Sequence, residues 1–122
     1  MKQFQKMSDA EMEIMKEVWA CGGLATSAEI QRRLSAARPW KATTILTFLS
    51  RLCEKGLLRI EKDGRANSYI PLVSEAEYRQ AETRAFLNEV HHGSVKSFFA
   101  ALADGGMTAE EVEELKKWFE KK

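Results

Sequence analysis

A mainly α-helical fold in two parts is predicted by three features of the chain. Four Ser/Thr-x-x-Glu stretches (Ser8-Asp9-Ala10-Glu11, Thr26-Ser27-Ala28-Glu29, Ser74-Glu75-Ala76-Glu77 and Thr108-Ala109-Glu110-Glu111) each stand before a periodic apolar run. That arrangement marks a helix N-terminus, because the hydroxyl and the carboxylate satisfy two orphan backbone donors reciprocally. Second, Asp63-Gly64 separates two short runs of roughly alternating polarity, LLRIEK and NSYIPLV, as in a β-hairpin. Third, Gly22-Gly23, Gly56, Gly93 and Gly105-Gly106 punctuate the helical patterns.

The elements follow in order. The first helix presents Ile14, Met15, Val18 and Trp19 on one face and stops at Gly22-Gly23. Leu24-Ala25-Thr26 reads as a very short strand. A second helix, with Ile30 and Leu34 inward, runs to about Ala37, since the residue before Pro39 disfavours helix. The third lies in residues 43–58, TTILTFLSRLCEKGLL, and ends at Gly56. The return strand of the hairpin contains Pro71, which lacks a backbone donor, so the strand should end there or lie on an edge. A long helix then reaches about His91, a short apolar one covers residues 94–103, and a last one carries Val112, Leu115, Trp118 and Phe119. Three helices followed by a two-stranded hairpin is the layout of a winged helix-turn-helix, in which the third helix enters the DNA major groove and the hairpin wing approaches the backbone. We divide the chain into a winged-helix DNA-binding domain, residues 1–73, and a three-helix dimerisation domain, residues 74–122.

The third helix has two unlike faces. Ile45, Phe48, Leu49 and Leu52 recur at helical spacing and form a buried stripe. Opposite stand Thr43, Thr47 and Ser50, with Thr44 and Arg51 to one side. Ser and Thr are mediocre helix formers, so a merely solvated face would be richer in Glu, Lys and Gln. Threonine can bond a base edge and pack its methyl on that of thymine. The DNA-binding set read from this pattern is Thr43, Thr44, Thr47 and Ser50 for bases, with Lys41, Arg51, Lys62 and Arg65 for phosphates. The competing reading is a solvated face whose hydroxyls bond their own backbone. Leu46, at the flank of the apolar stripe, is read as completing the core, with contact to a thymine methyl as the alternative.

Charge is distributed unevenly. The net charge is +1, but residues 1–73 hold 12 Lys+Arg against 8 Asp+Glu, and residues 74–122 hold 7 against 10. Residues 30–65 alone hold 9 basic and 3 acidic side chains. A polyanionic partner for the first part only is the physical implication. No apolar run approaches the roughly 20 residues that span a bilayer. The first residues hold no apolar secretion core, so a cytoplasmic protein without membrane insertion is expected.

The two cysteines, Cys21 and Cys53, lie far apart with no partner at ligand spacing and read as small core residues. His91 and His92 diverge from one helix and share a metal poorly. Neither a metal nor a cofactor is expected. No nucleophile with a base, phosphate loop or catalytic carboxylate pair is evident, so an enzyme is not expected either. The carboxylates Glu110, Glu111, Glu113 and Glu114 suit a helix N-terminal dipole.

The last three helices carry Phe86, Leu87, Val90, Phe98, Phe99, Leu102, Val112, Leu115, Trp118 and Phe119. Burying one such side chain is worth roughly 1.5–3 kcal/mol, and three short helices cannot bury them all alone. A two-fold homodimer built on these residues is expected, with Ala81 and Ala85 permitting close approach. Two third helices about 34 Å apart would then reach successive major grooves of a palindromic double-stranded DNA site.

The segments SDAEMEIMKEVW, ATSAEIQRRL, TTILTFLSRLCEKGLL and EYRQAETRAFLNEVHHGSVKSFFAALADGGMTAEEVEELKKWF resemble, in order and over nearly the whole chain, the penicillinase-repressor family, the BlaI/MecI/CopY group of bacterial winged-helix repressors. The most specific part is the run from Thr44 to Leu52 followed by Lys55-Gly56. The resemblance implies a homodimer on a dyad operator with TACA/TGTA half-sites and dimerisation through the C-terminal helices. Better-known members control β-lactamase genes, hence antibiotic resistance, and are inactivated when a membrane sensor protease, or a partner it activates, cuts them. The chain departs from the pattern in three places. Thr43 and Leu46 stand where the β-lactamase repressors carry Lys and Arg. The family's cleavage site, an Asn-Phe bond, falls at Ala101-Leu102, so an Asn-specific cut does not carry over. The chain ends WFEKK without a cysteine cluster, which argues against copper sensing of the known kind. Alternative functions are a winged-helix regulator responding to a small ligand or to thiol redox at Cys21 and Cys53, and a winged helix serving as a protein-interaction module.

Overall fold

A computed structural model of the chain describes residues 4–35 and 37–122. Its elements are α1 (Asp9–Ala20), β1 (Ala25–Thr26), α2 (Ser27–Leu34), α3 (Ala42–Glu54), β2 (Leu58–Asp63), β3 (Ala66–Pro71), α4 (Glu75–His91), α5 (Val95–Asp104) and α6 (Ala109–Lys121). The fold is mainly α, with a winged helix-turn-helix at its N-terminal end, as predicted. The strands form one antiparallel sheet in the order β1-β3-β2. The chain divides into two compact units at Gln80/Ala81, inside α4.

Helix starts follow the local chemistry. Reciprocal capping boxes form at Ser8/Glu11 and Thr108/Glu111, and at Ser74/Glu77, where the Ser74 N–H donates to Glu77 Oε1 at 2.9 Å and the Glu77 N–H to Ser74 Oγ at 3.0 Å. At α2 the Thr26 hydroxyl accepts from the Glu29 N–H (3.2 Å), while the Glu29 carboxylate pairs with Arg32 and Arg33. The α2 helix ends at Leu34, short of Ala37, and the Arg38 N–H closes on the Leu34 carbonyl at 2.7 Å. Pro39 disfavours helical geometry at Arg38, so the helix cannot continue through it.

The core of the first unit contains Ile14, Met15, Val18, Ala25, Ile30, Leu34, Ile45, Leu49, Leu52, Leu57, Leu58, Tyr69, Val73 and Tyr78. Cys21 and Cys53 are partly buried against it. Leu46 does not belong to it. Its side chain is 43% exposed, which corrects the expectation that it completes the core. The reason is angular: Ile45, Leu49 and Leu52 already fill the inward arc, and Leu46 is turned about 100° from Ile45 at 3.6 residues per turn.

Strand β3 ends at Pro71, opposite Leu58, where the missing donor is harmless even though β3 is the central strand. The start of α4 closes onto the first unit. The Tyr78 hydroxyl accepts the Met7 N–H at 2.9 Å, and its ring lies 5.3 Å from that of Phe4 and 6.3 Å from that of Trp19. Trp19 Nε1 donates to the Val73 carbonyl at 2.9 Å.

One buried charge ties distant segments together. Glu11 is 2% exposed. Its Oε1 accepts from the Ser8 N–H at 2.8 Å and from Lys55 Nζ at 2.5 Å, and Lys55 also donates to the Lys6 carbonyl at 3.0 Å. Burial pushes the Glu11 pKa up, but the Lys55 and Ser8 hydrogen bonds and the Lys55 charge outweigh it, so the carboxyl titrates below its usual value of 4.5.

A folded-state pKa held below the unfolded one contributes stability that is present above the unfolded value and lost as pH falls through the folded one. Denaturant unfolding should therefore show stability declining below about pH 4.5, with a smaller decline in Glu11→Gln. At neutral pH, Lys55→Met should cost about 3 kcal/mol, because it strands a buried carboxylate. In the same assay Leu49→Ala should cost about 2–5 kcal/mol, having emptied the centre of the inward stripe.

Candidate nucleic-acid interface

Helix α3 exposes one face because the other is used up. With Ile45, Leu49 and Leu52 buried, Thr43, Thr47 and Ser50 are exposed, and Thr44 is half-buried beside them. Thr47 Oγ1 donates to the Thr43 carbonyl at 3.0 Å, so one hydroxyl of the face does bond its own backbone. Its oxygen lone pairs stay available as acceptors. The Arg51 guanidinium lies 5.7 Å from the centre of the Phe48 ring, and Phe48 packs at 5.4 Å on Trp40. These contacts brace Arg51 at the rim of the face.

The N-terminus of α3 differs from those of α1, α2, α5 and α6. Those four begin on Ser or Thr side chains that accept a backbone N–H. The α3 helix begins on Lys41, which makes no side-chain cap. Exposed backbone donors next to a lysine leave positive potential there, a setting that favours an anion.

The wing is β2 and β3, paired from Leu58↔Pro71 to Asp63↔Ala66. Gly64 and Arg65 are therefore the two turn residues, and Arg65 sits at the tip of the wing. Gly64 has φ +68, the first central position at which a type II′ turn requires glycine. The turn thus falls one residue later than the Asp63-Gly64 pair expected from the sequence. Lys62 faces Asn67 across the ladder and is exposed, as is Arg65.

Ion pairing sorts the basic residues into two groups. Of the nine in residues 30–65, five are neutralised by the chain itself: Arg32 by Glu29, Arg33 by Glu29 and Glu17, Arg38 by Glu13, Lys55 by Glu11 and Arg59 by Glu61. Among the described residues no carboxylate pairs with Lys41, Arg51, Lys62 or Arg65. These four are the cations placed at phosphate positions from the sequence. Two features escaped that reading: the exposure of Leu46 beside Thr43 and Ser50, and the Glu11–Lys55 pair. Spacing from Thr43 signals the first; no local pattern signals the second.

The second unit is assembled from short helices that bury little. The helices α5 and α6 contain no buried residue. Leu87 is buried, and Phe98, Phe99 and Leu115 are half-buried. Phe86, Val90, Leu102, Val112, Trp118 and Phe119 are exposed, the last two by 52% and 54%. Phe99, Met107, Val112, Leu115 and Phe119 line an open apolar hollow of about 440 Å³. Ala101 and Leu102 are exposed on α5.

Other chemistries find little support. No group of three His, Cys, Asp or Glu side chains able to hold a metal occurs among the described residues. Burial and the charge of Glu54 push the Cys53 thiol above its usual range, the reverse of a reactive thiolate. No helix among the described residues is long and apolar enough to cross a membrane.

Comparison with known proteins agrees with this architecture. A family model described as Penicillinase repressor matches residues 7–121. The penicillinase repressor of Bacillus licheniformis is 35% identical over 116 residues, covering 94% of this chain and 90% of its own. The methicillin resistance regulatory protein MecI of Mammaliicoccus sciuri is 29% identical, covering 96% and 95%. The solution structure of monomeric Bacillus licheniformis BlaI in complex with the blaP half-operator superposes with a TM-score of 0.54 at 38% identity, covering 64% of this chain and 94% of that one. With the match spanning nearly the whole chain, the protein belongs to the penicillinase repressor family, a family of transcriptional repressors and not of enzymes.

Proposed function

We propose that this chain is a homodimeric transcriptional repressor that binds a dyad operator in double-stranded DNA. The observation that carries the reading is the segregation of charge. Among the described residues, the chain pairs its other basic residues in this region with its own carboxylates, while Lys41 and Arg51 on α3 and Lys62 and Arg65 on the wing have no carboxylate partner. Unpaired cations flanking polar side chains match a phosphate backbone on either side of readable base edges. The relative solved in complex with a half-operator supports the same use of the winged helix.

In this reading residues 1–73 bind DNA, with the first turn of α4 packed against them through Tyr78, and residues 74–122 dimerise. Phe86, Leu87, Val90, Phe98, Phe99, Leu102, Val112, Leu115, Trp118 and Phe119 form the shared core. The apolar hollow on the second unit is then a surface for the second copy. Dimerisation places two α3 helices on one operator, and tethering raises affinity through effective concentration. Repression follows by obstructing the promoter. Proteolysis in α5 at Ala101-Leu102, by a membrane sensor protease or a partner it activates, would part α6 from α4 and relieve repression. A direct small-ligand response has one observation in its favour, the same hollow, whose lining is shared with the dimer surface.

Fluorescence anisotropy with a TACA/TGTA dyad and a scrambled duplex, titrated at several salt concentrations, tests the reading. Dyad-preferring binding that weakens steeply with salt is expected. Arg65→Ala should weaken binding to both duplexes alike and reduce the salt slope by about 1. Equal and salt-insensitive binding to both would instead favour a protein-interaction module. Sedimentation of Trp118→Ser/Phe119→Ser should show monomer where the parent chain is dimeric, with operator affinity lowered at least tenfold, the order expected when avidity is lost. An unchanged dimer would remove α6 from the interface.

A further inference from the structure

Leu46 is the large apolar side chain that α3 leaves in solvent, at 43% exposure. Its neighbours on the helix surface, three residues back and four ahead, are Thr43 and Ser50, both exposed. It thus borders the stripe read as facing DNA, next in sequence to Thr47. The Thr47 hydroxyl hydrogen is committed to the Thr43 carbonyl. What Thr47 still offers is an acceptor lone pair and a methyl group. An acceptor beside an apolar surface suits one kind of base-pair edge. In the major groove an A·T pair presents the adenine N6 amino donor together with the thymine C5-methyl, whereas G·C presents a donor without a methyl.

We propose that Leu46 is a specificity-determining residue that packs on the C5-methyl group of a thymine in the operator. The proposal rests on α3 being the recognition helix. It predicts an operator in which a thymine is held by its methyl rather than by a hydrogen bond. Deoxyuridine pairs as thymidine does and lacks only that methyl, so it isolates the contact.

The test uses the full chain. Duplexes are selected from random sequence by the protein, and each thymine of the recovered site is replaced singly by deoxyuridine. At a thymine in each half-site the substitution should lower affinity about three- to fivefold, the order expected for losing one buried methyl. Leu46→Ala, which keeps a good helix former at an exposed position, should bind the thymine and uracil duplexes equally. Leu24→Ala, an exposed apolar side chain outside α3, should keep the discrimination. If no uracil substitution matters, or if Leu46→Ala discriminates as the parent does, the assignment of Leu46 fails while DNA recognition stands. If selection recovers no consensus, sequence-specific recognition fails and the role of Leu46 with it.

Discussion

The seating of α3 through Ile45, Leu49 and Leu52 is the constraint on which the rest depends. A helix has one rotational setting in which those three side chains are all dry, worth roughly 1.5–3 kcal/mol each. That setting fixes every other residue of α3. Thr43, Thr47 and Ser50 must then face solvent, Arg51 comes to lie over Phe48, and Leu46 is left outside. Core packing and the proposed DNA surface are consequences of one rotational choice.

Charge adds a second constraint to the same geometry. The Glu11 carboxylate could have been a liability in the core, yet it draws Lys55 inward from the end of α3 and joins it to the residues leading into α1. Glu13, Glu17, Glu29 and Glu61 hold arginines on α2, the α2–α3 connection and β2. Exposed pairs of this kind contribute little to stability. Their effect is on potential: they cancel positive charge on α2, the α2–α3 connection and β2, while among the described residues Lys41, Arg51, Lys62 and Arg65 keep theirs unpaired.

Much of this was legible because it is local. Capping boxes at Ser8, Ser74 and Thr108 depend on residues three apart, and the inward stripe of α3 on spacings of three and four, so both could be read from order alone. The wing was legible but shifted by one residue, because Asp-Gly and Gly-Arg are both acceptable turn pairs and only the ladder register distinguishes them. What could not be read is set by distant partners. The short strand β1 was legible at Ala25-Thr26, but its pairing with Tyr69 and Ser68 was not. Glu11 meets Lys55 across 44 residues of sequence. Leu46 was misread because a leucine at the edge of an apolar arc satisfies either face, and the crowding of Ile45 and Leu49 decides it. The large apolar side chains of α5 and α6 were legible as an excess, and their exposure supports the proposed second copy.

The central claim is that α3 and the wing form one DNA-contacting surface distinct from the C-terminal helices. Backbone amide NMR shifts recorded while operator duplex is added test it most directly. The account predicts the largest perturbations at Lys41, Thr43, Thr47, Ser50 and Arg51 and at Lys62 and Arg65, with small ones along α6. Perturbations concentrated on α5 and α6, with α3 and the wing unmoved, would contradict it.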